Sequence, residues 1–216
     1  MAISPASGLT LKQDIVGRIA LVECGGHPRI RREPARAAFG LRWIARRIAG
    51  NEARALRRLA AIDGLPRLLA WDGRVLDRSY FDGRPMQEAG VRDPRYFIAA
   101  RRLLSAVHRA GVVHNDLAKE ANWLVTAEGA PAIIDFQLAW CPRRRGRMFR
   151  LLAREDLRHL LKHKRTYFGD RLTPVERRVL ARRSWLRELW FASGKRVYRF
   201  VTRRLLGWRD NEGRGG

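Results

Sequence analysis

Lysine is nearly missing from this 216-residue chain. Five lysines stand against forty arginines, and none falls between Lys12 and Lys119. Chemistry that needs a cation in that interval must use arginine, which keeps its charge but presents a planar fork instead of a point donor. Cysteine is almost as rare: Cys24 and Cys141 make no disulfide framework, so a reducing compartment is the default. No run of 18 apolar residues occurs, so no transmembrane helix is expected. The first residues lack the basic-then-apolar pattern of a secretory signal. A cytoplasmic location is the expectation, with a peripheral seat on the inner face of the membrane as an option. Acidic residues are outnumbered, 21 Asp+Glu against 45 Lys+Arg, for a formal net charge of +24. Such a field favours polyanions: nucleic acid, anionic membrane surfaces, nucleotide phosphates. The arginine skew also reads as codon bias, which would leave some arginines as plain surface. With 46% hydrophobic residues the chain can bury a core, as one compact unit or two small lobes sharing a cleft.

Two runs carry the chemistry. Val113 to Val125 reads V-H-N-D-L-A-K-E-A-N-W-L-V, and Ala132 to Ala139 reads A-I-I-D-F-Q-L-A. Each places a polar oxygen ligand, Asn122 or Asp135, at the edge of a short apolar run. Two strands joined by a tight turn would set these side chains next to each other. That pair suits Mg²⁺, a hard ion that keeps waters and binds phosphates. Asp116 would sit nearby as a base orienting an attacking hydroxyl. Phosphoryl transfer requires metal ligands, a positioned base and cations on the phosphates, and little else.

At these residues the chain resembles the protein-kinase-like superfamily. His114, Asp116 and Asn122 look like the kinase catalytic loop, and Asp135-Phe136-Gln137 looks like its metal-binding D-F-G triplet. Within the superfamily, the chain is most similar to the small bacterial branch of RIO-like and lipopolysaccharide-core kinases. There are two departures. Five residues, Leu117 to Ala121, separate Asp116 from Asn122 where the family has four, and Gln137 replaces glycine. The resemblance covers roughly residues 10–165. It implies an α+β, bilobal fold: a small N-terminal antiparallel β-sheet lobe with one helix, then a mostly helical C-terminal lobe with a helical tail. The expected divisions are 1–83, 84–170 and a basic extension, 171–216.

The resemblance also implies roles for single residues. Asp116 would be the base, with Lys119 neutralising the transferred phosphate and His114 holding the loop. Asn122 and Asp135 would bind Mg²⁺ and ATP would fill the cleft. D-I-V-G-R-I-A-L-V is similar to the end of a glycine-rich loop, of which only Gly17 survives. The strand lysine that grips the α- and β-phosphates is replaced; Arg31, after apolar Ile30, aligns best, with Arg29, Arg32 and Lys12 as alternatives. Glu52 would pair with that cation from the first turn of a helix over Asn51 to Ala61, separated by Gly50 from a basic helix over Ala35 to Ile48. Ser79, Tyr80 and Phe81 occupy the place of the adenine-binding hinge, although an ordinary hairpin end explains them as well. His108 is expected to be structural.

The expected activity is ATP-dependent transfer to a hydroxyl by a RIO-like serine/threonine protein kinase acting as a monomer; with no A-P-E signature and no long activation segment, activation by phosphorylation is not expected. Transfer to a lipid-linked or lipopolysaccharide-core sugar is the alternative acceptor reading. A non-catalytic scaffold binding nucleotide or RNA belongs to a different class, favoured by the missing lysine. Residues 141–216 hold 23 Lys+Arg and 7 Asp+Glu, a net of +16, so charge concentrates beyond the catalytic runs. Lys195 to Trp208 reads equally as a membrane-surface amphipathic helix or as a terminal helix docked on the protein.

Overall fold

The computed structural model describes residues 9–14, 17–37 and 39–181. In chain order the elements are β1 (Leu9–Asp14), β2 (Gly17–Cys24), β3 (His27–Glu33), α1 (Arg42–Arg58), β4 (Leu68–Trp71), β5 (Leu76–Ser79), β6 (Arg84–Pro85), α2 (Met86–Ala89), α3 (Arg95–Arg109), β7 (Trp123–Val125), β8 (Pro131–Ile133), α4 (Arg147–Phe168) and α5 (Pro174–Ala181). Residues 1–173 form one compact unit and 174–216 a second, of which α5 is the described part. The sequence candidates beyond Ala181, including the Lys195 to Trp208 segment, lie outside the described residues.

Five antiparallel strands, ordered β1-β2-β3-β5-β4, make the N-terminal sheet. The β4–β5 turn is fixed by Asp72, whose Oδ1 accepts from the amides of Arg74 and Val75, both at 2.7 Å, while Gly73 takes φ +87°. These bonds hold the Asp72 carboxyl below its usual range. Strand alternation sorts the side chains: Leu21, Ile30, Arg32, Leu76 and Arg78 share one face, and Ala20, Arg31 and Asp77 the other.

One helix, not two, crosses this sheet. The expected break at Gly50 is absent, because α1 runs through it for 17 residues. Glycine inside a helix costs about 1 kcal/mol. Here Ala45, Ala49, Glu52, Ala53 and Leu56 form one buried stripe, whose packing outweighs that cost. Gly50 itself lies under the Trp71 ring, where an added Cβ would stand 3.7 Å from Cζ2. Glu52 is therefore in mid-helix and buried, not in a first turn.

Beyond Gly83 the chain becomes mostly helical. A side chain at Gly83 would press within 3.1 Å of Leu124 and 3.2 Å of the Val125 carbonyl, so the link between the lobes passes flush against β7. Helix α3 starts where Asp93 caps the Arg95 amide at 2.8 Å. Phe97, Leu104 and Val107 from α3, with Leu56, Trp123, Ile133, Phe136 and Leu160, build the main core. Among the described residues no helix is long and apolar enough to cross a membrane.

Candidate active site

The Val113 to Val125 run is anchored from both sides. Val113 bridges Trp140, its amide at 3.1 Å from the Trp140 carbonyl and its carbonyl accepting at 2.9 Å. His114 is fully buried, its ring 4.7 Å from that of Phe136. His114 Nε2 lies 2.9 Å from the Ile134 carbonyl, and Nδ1 accepts from the Asp116 amide at 3.2 Å. Those two bonds require the neutral ring protonated on Nε2, and burial pushes its pKa down in agreement. His114 thus ties the loop to the Asp135 strand and sets the backbone of Asp116.

Around Asp116 the polar groups converge. Lys119 Nζ donates to Oδ2 at 2.7 Å, and Asn122 Nδ2 donates to the same oxygen at 3.1 Å and to the Asp116 carbonyl at 2.9 Å. Oδ1 has no partner among the described residues. The loop then closes in a 3₁₀ turn over Glu120–Asn122, with Lys119 just before it.

Asn122 and Asp135 flank two paired strands, β7 and β8. Trp123 pairs with Ile133, and the Ile134 amide donates to the Asn122 carbonyl at 3.0 Å. Asp135 takes the left-handed conformation, φ 67° and ψ 67°, which turns its carboxylate off the strand direction. Since Asn122 Nδ2 is engaged with Asp116, its Oδ1 is the atom free to act as a ligand. One carboxylate, on a side chain 27% exposed, and one amide oxygen, on buried Asn122, are donor types that fit the sparse protein ligation Mg²⁺ accepts.

The expected pairing of Arg31 with Glu52 is not formed. Arg31 lies on the opposite face of β3 and forks onto Asp77, with contacts of 2.9 and 2.8 Å. That bond raises the Arg31 pKa further. Arg32, named only as an alternative, faces the cleft instead. Its Nε is 3.3 Å from Glu52, its Nη2 is 3.9 Å from Asp135, and its Nη1 donates to Gln137 Oε1 at 2.6 Å. Gln137 Nε2 in turn donates to Asp135 Oδ1. The physical reason is alternation: Arg32 shares a face with Ile30, two residues earlier, whereas Arg31 cannot. The Lys12 side chain lies outside the described residues.

Four further residues, Arg78, Asp156, His163 and Tyr167, carry no signal in the motifs of the sequence. Arg78, cross-strand from Ile30, places Nε 3.1 Å from Glu52, so one buried carboxylate stands between two guanidiniums. Its signal was the β5 alternation. Asp156 on α4 accepts from the amides of His114, at 2.8 Å, and Asn115, at 3.0 Å, and from His108 Nε2 at 3.1 Å. Two and three turns further along the same face of α4, His163 Nε2 contacts the Leu117 carbonyl at 2.8 Å, and the Tyr167 hydroxyl donates to Glu120 at 2.8 Å. Burial and that bond push the Tyr167 phenol up to about 12. No local motif marks these roles, since they span more than forty residues of sequence.

The remaining candidates divide. Gly17, at φ +124°, opens β2 where a Cβ would lie 2.6 Å from the Glu33 carbonyl, so its lack of a side chain has a packing cause. Residues 15 and 16 lie outside the described residues. Ser79 and Tyr80 spend their amides within the lobe, on the Arg67 carbonyl at 2.9 Å and the Pro28 carbonyl at 3.3 Å. Of the three hinge candidates, Phe81 alone has a backbone amide without a protein partner among the described residues.

No protein-family profile matches the chain, and no curated protein matches it in sequence. Solved structures do match in fold. The Rio2 kinase of Chaetomium thermophilum is 16% identical with a TM-score of 0.58, over 81% of this chain and 60% of that one. The ADP/Mg²⁺-phosphoaspartate complex of the same organism's Rio2 kinase is 17% identical with a TM-score of 0.56, over 82% of this chain and 63% of that one. The chain thus spans less than two thirds of these solved chains. Its fold is protein-kinase-like: an antiparallel N-terminal sheet followed by a mostly helical part.

Proposed function

We propose that this protein is an ATP-dependent phosphotransferase that moves the γ-phosphate to a hydroxyl, with a protein serine or threonine as acceptor. The observation that carries the reading is the convergence of Lys119 and Asn122 on a single oxygen of Asp116, which leaves the second oxygen open. An acceptor hydroxyl there would hand its proton to Asp116 as its oxygen attacks the γ-phosphorus and the bond to ADP breaks. Lys119, 2.7 Å from Asp116, would meet charge on the transferred group. Arg32, held by Glu52 and Gln137, would contact the α- and β-phosphates, and the Phe81 amide would receive the adenine edge. Asn122 and Asp135 would hold Mg²⁺, which would supply positive charge to offset that of the phosphates. The neighbouring Rio2 kinase complex with ADP and Mg²⁺ supports this choice of cofactors.

A second reading, nucleotide binding without turnover, is favoured by one contact: Gln137 and Arg32 both approach the Asp135 carboxylate that the metal would need. The test is autophosphorylation and ATP hydrolysis with Mg²⁺ in wild type, Asp116→Asn and Asp135→Asn. Turnover that falls at least a hundredfold in both variants supports transfer. Nucleotide binding with equal, background turnover in all three leaves only the scaffold.

A further inference from the structure

Helices α3 and α4 border an open hollow of about 290 Å³, whose lining includes none of the candidate nucleotide-site residues. Arg101, Ser105 and His108 enter it from one face of α3, at helical spacings of four and three. Arg150, Ala153 and Arg154 enter it from one face of α4. Ser105 and Ala153 are small, and their size is what leaves the space between the helices. Leu104 and Leu157 give it an apolar base.

The charge in this hollow is one-sided. Among the described residues Arg101 and Arg154 have no acidic partner, and Arg150 reaches only the Arg145 carbonyl, at 3.4 Å. Arg150 and Arg154 stand one helical turn apart, a like-charge spacing that is unfavourable without a counterion. Arg150 also lies in the first turn of α4, where the positive end of the helix dipole adds to the same potential. The carboxylates nearby on α4 are engaged elsewhere: Glu155 lies 3.6 Å from Arg158, and Asp156 holds His108 and the catalytic-loop amides.

We propose that the α3–α4 hollow is a binding site for the phosphoryl group of a small anion, linked to the catalytic loop through the His108–Asp156 hydrogen bond. Guanidinium forks match phosphate oxygens, and the Ser105 hydroxyl supplies a neutral donor. A ligand that orders His108 orders the carboxylate carrying the amides of His114 and Asn115.

Inorganic pyrophosphate, titrated calorimetrically into the full chain, tests the site. Arg101→Gln/Arg154→Gln should raise the Kd at least tenfold, and Ala153→Leu, which fills the hollow without changing charge, should raise it as well. Arg143→Gln/Arg144→Gln, an equal charge change on the neighbouring basic loop, and Arg32→Gln, in the cleft, should leave it within twofold. Amide hydrogen exchange at 114 and 115 should slow on binding in wild type and not in the Arg101/Arg154 variant. Vesicles containing phosphatidic acid distinguish the source: retention that the Arg101/Arg154 variant loses assigns the phosphoryl group to a lipid headgroup, and no retention assigns it to a soluble anion. Binding that falls equally in the Arg143/Arg144 variant, or only in Arg32→Gln, would overturn the site. Bound pyrophosphate with unchanged exchange would overturn the link.

Discussion

Arg32 of β3 and Glu52 of α1 meet at 3.3 Å, both almost wholly buried, and Arg32 extends from there toward Asp135. The pair joins the sheet to the helix and points a cation at the proposed metal ligand. Arg31, its immediate neighbour, is committed to Asp77 on the other face. The two arginines should therefore fail differently. Arg32→Gln should weaken ATP binding at least tenfold, about 1.4 kcal/mol. Arg31→Gln should leave ATP affinity within twofold but strand a buried carboxylate, lowering unfolding free energy by roughly 3 kcal/mol. Calorimetry and urea unfolding of both variants check this, and reversed outcomes would return the phosphate role to Arg31.

His114 should make stability depend on pH in a fixed direction. Its folded pKa is lowered from 6.5 by burial, so the unfolded chain takes up its proton first as pH falls. The neutral ring's contribution is complete above about pH 6.5 and declines below it. Unfolding midpoints from pH 8 to pH 5 should fall below pH 6.5 in wild type, with a smaller slope in His114→Phe. Equal slopes would remove His114 as the source.

Asp156 should matter to activity without touching any reactant. Asp156→Asn keeps an oxygen to accept from one amide but removes the charge shared by His114, Asn115 and His108. Hydrogen bonds to charged groups contribute about 1.5–3 kcal/mol each. The variant should lose roughly 3 kcal/mol of stability, and kcat should fall while KM for ATP stays near wild type. A variant that loses only ATP affinity would contradict a loop-positioning role.

Gly17→Ala should destabilise the protein by roughly 2 kcal/mol, because a methyl at positive φ must also displace backbone. The obstructing atom is the Glu33 carbonyl, 2.6 Å from the added Cβ. Thermal unfolding checks it; a shift under 2 °C would show that the turn relaxes freely.

Much of the fold was legible because short-range patterns carried it. The Asp72-Gly73 turn, the strands on either side of it, and the two strands after Asn122 all follow from local residue choice. The α1 helix was misread because Gly50 looked like punctuation, while the alanine stripe that overrides it is visible only against a sheet. Choosing Arg31 over Arg32 weighed its adjacency to Ile30 above the two-residue period of a strand. Asp156, His163 and Tyr167 were beyond local reading altogether: their meaning comes from a helix folding back on a loop some forty residues earlier.

Asn115 and Asp135 are the two described non-glycine residues with positive φ, at 66° and 67°. Alanine is therefore a misleading probe at both positions, since it adds a backbone penalty of about 1 kcal/mol to whatever the missing group did. Aspartate-to-asparagine exchange at 135 keeps the permissive short polar side chain and alters charge alone. A scan built on alanine would report these positions as folding residues and hide their chemistry.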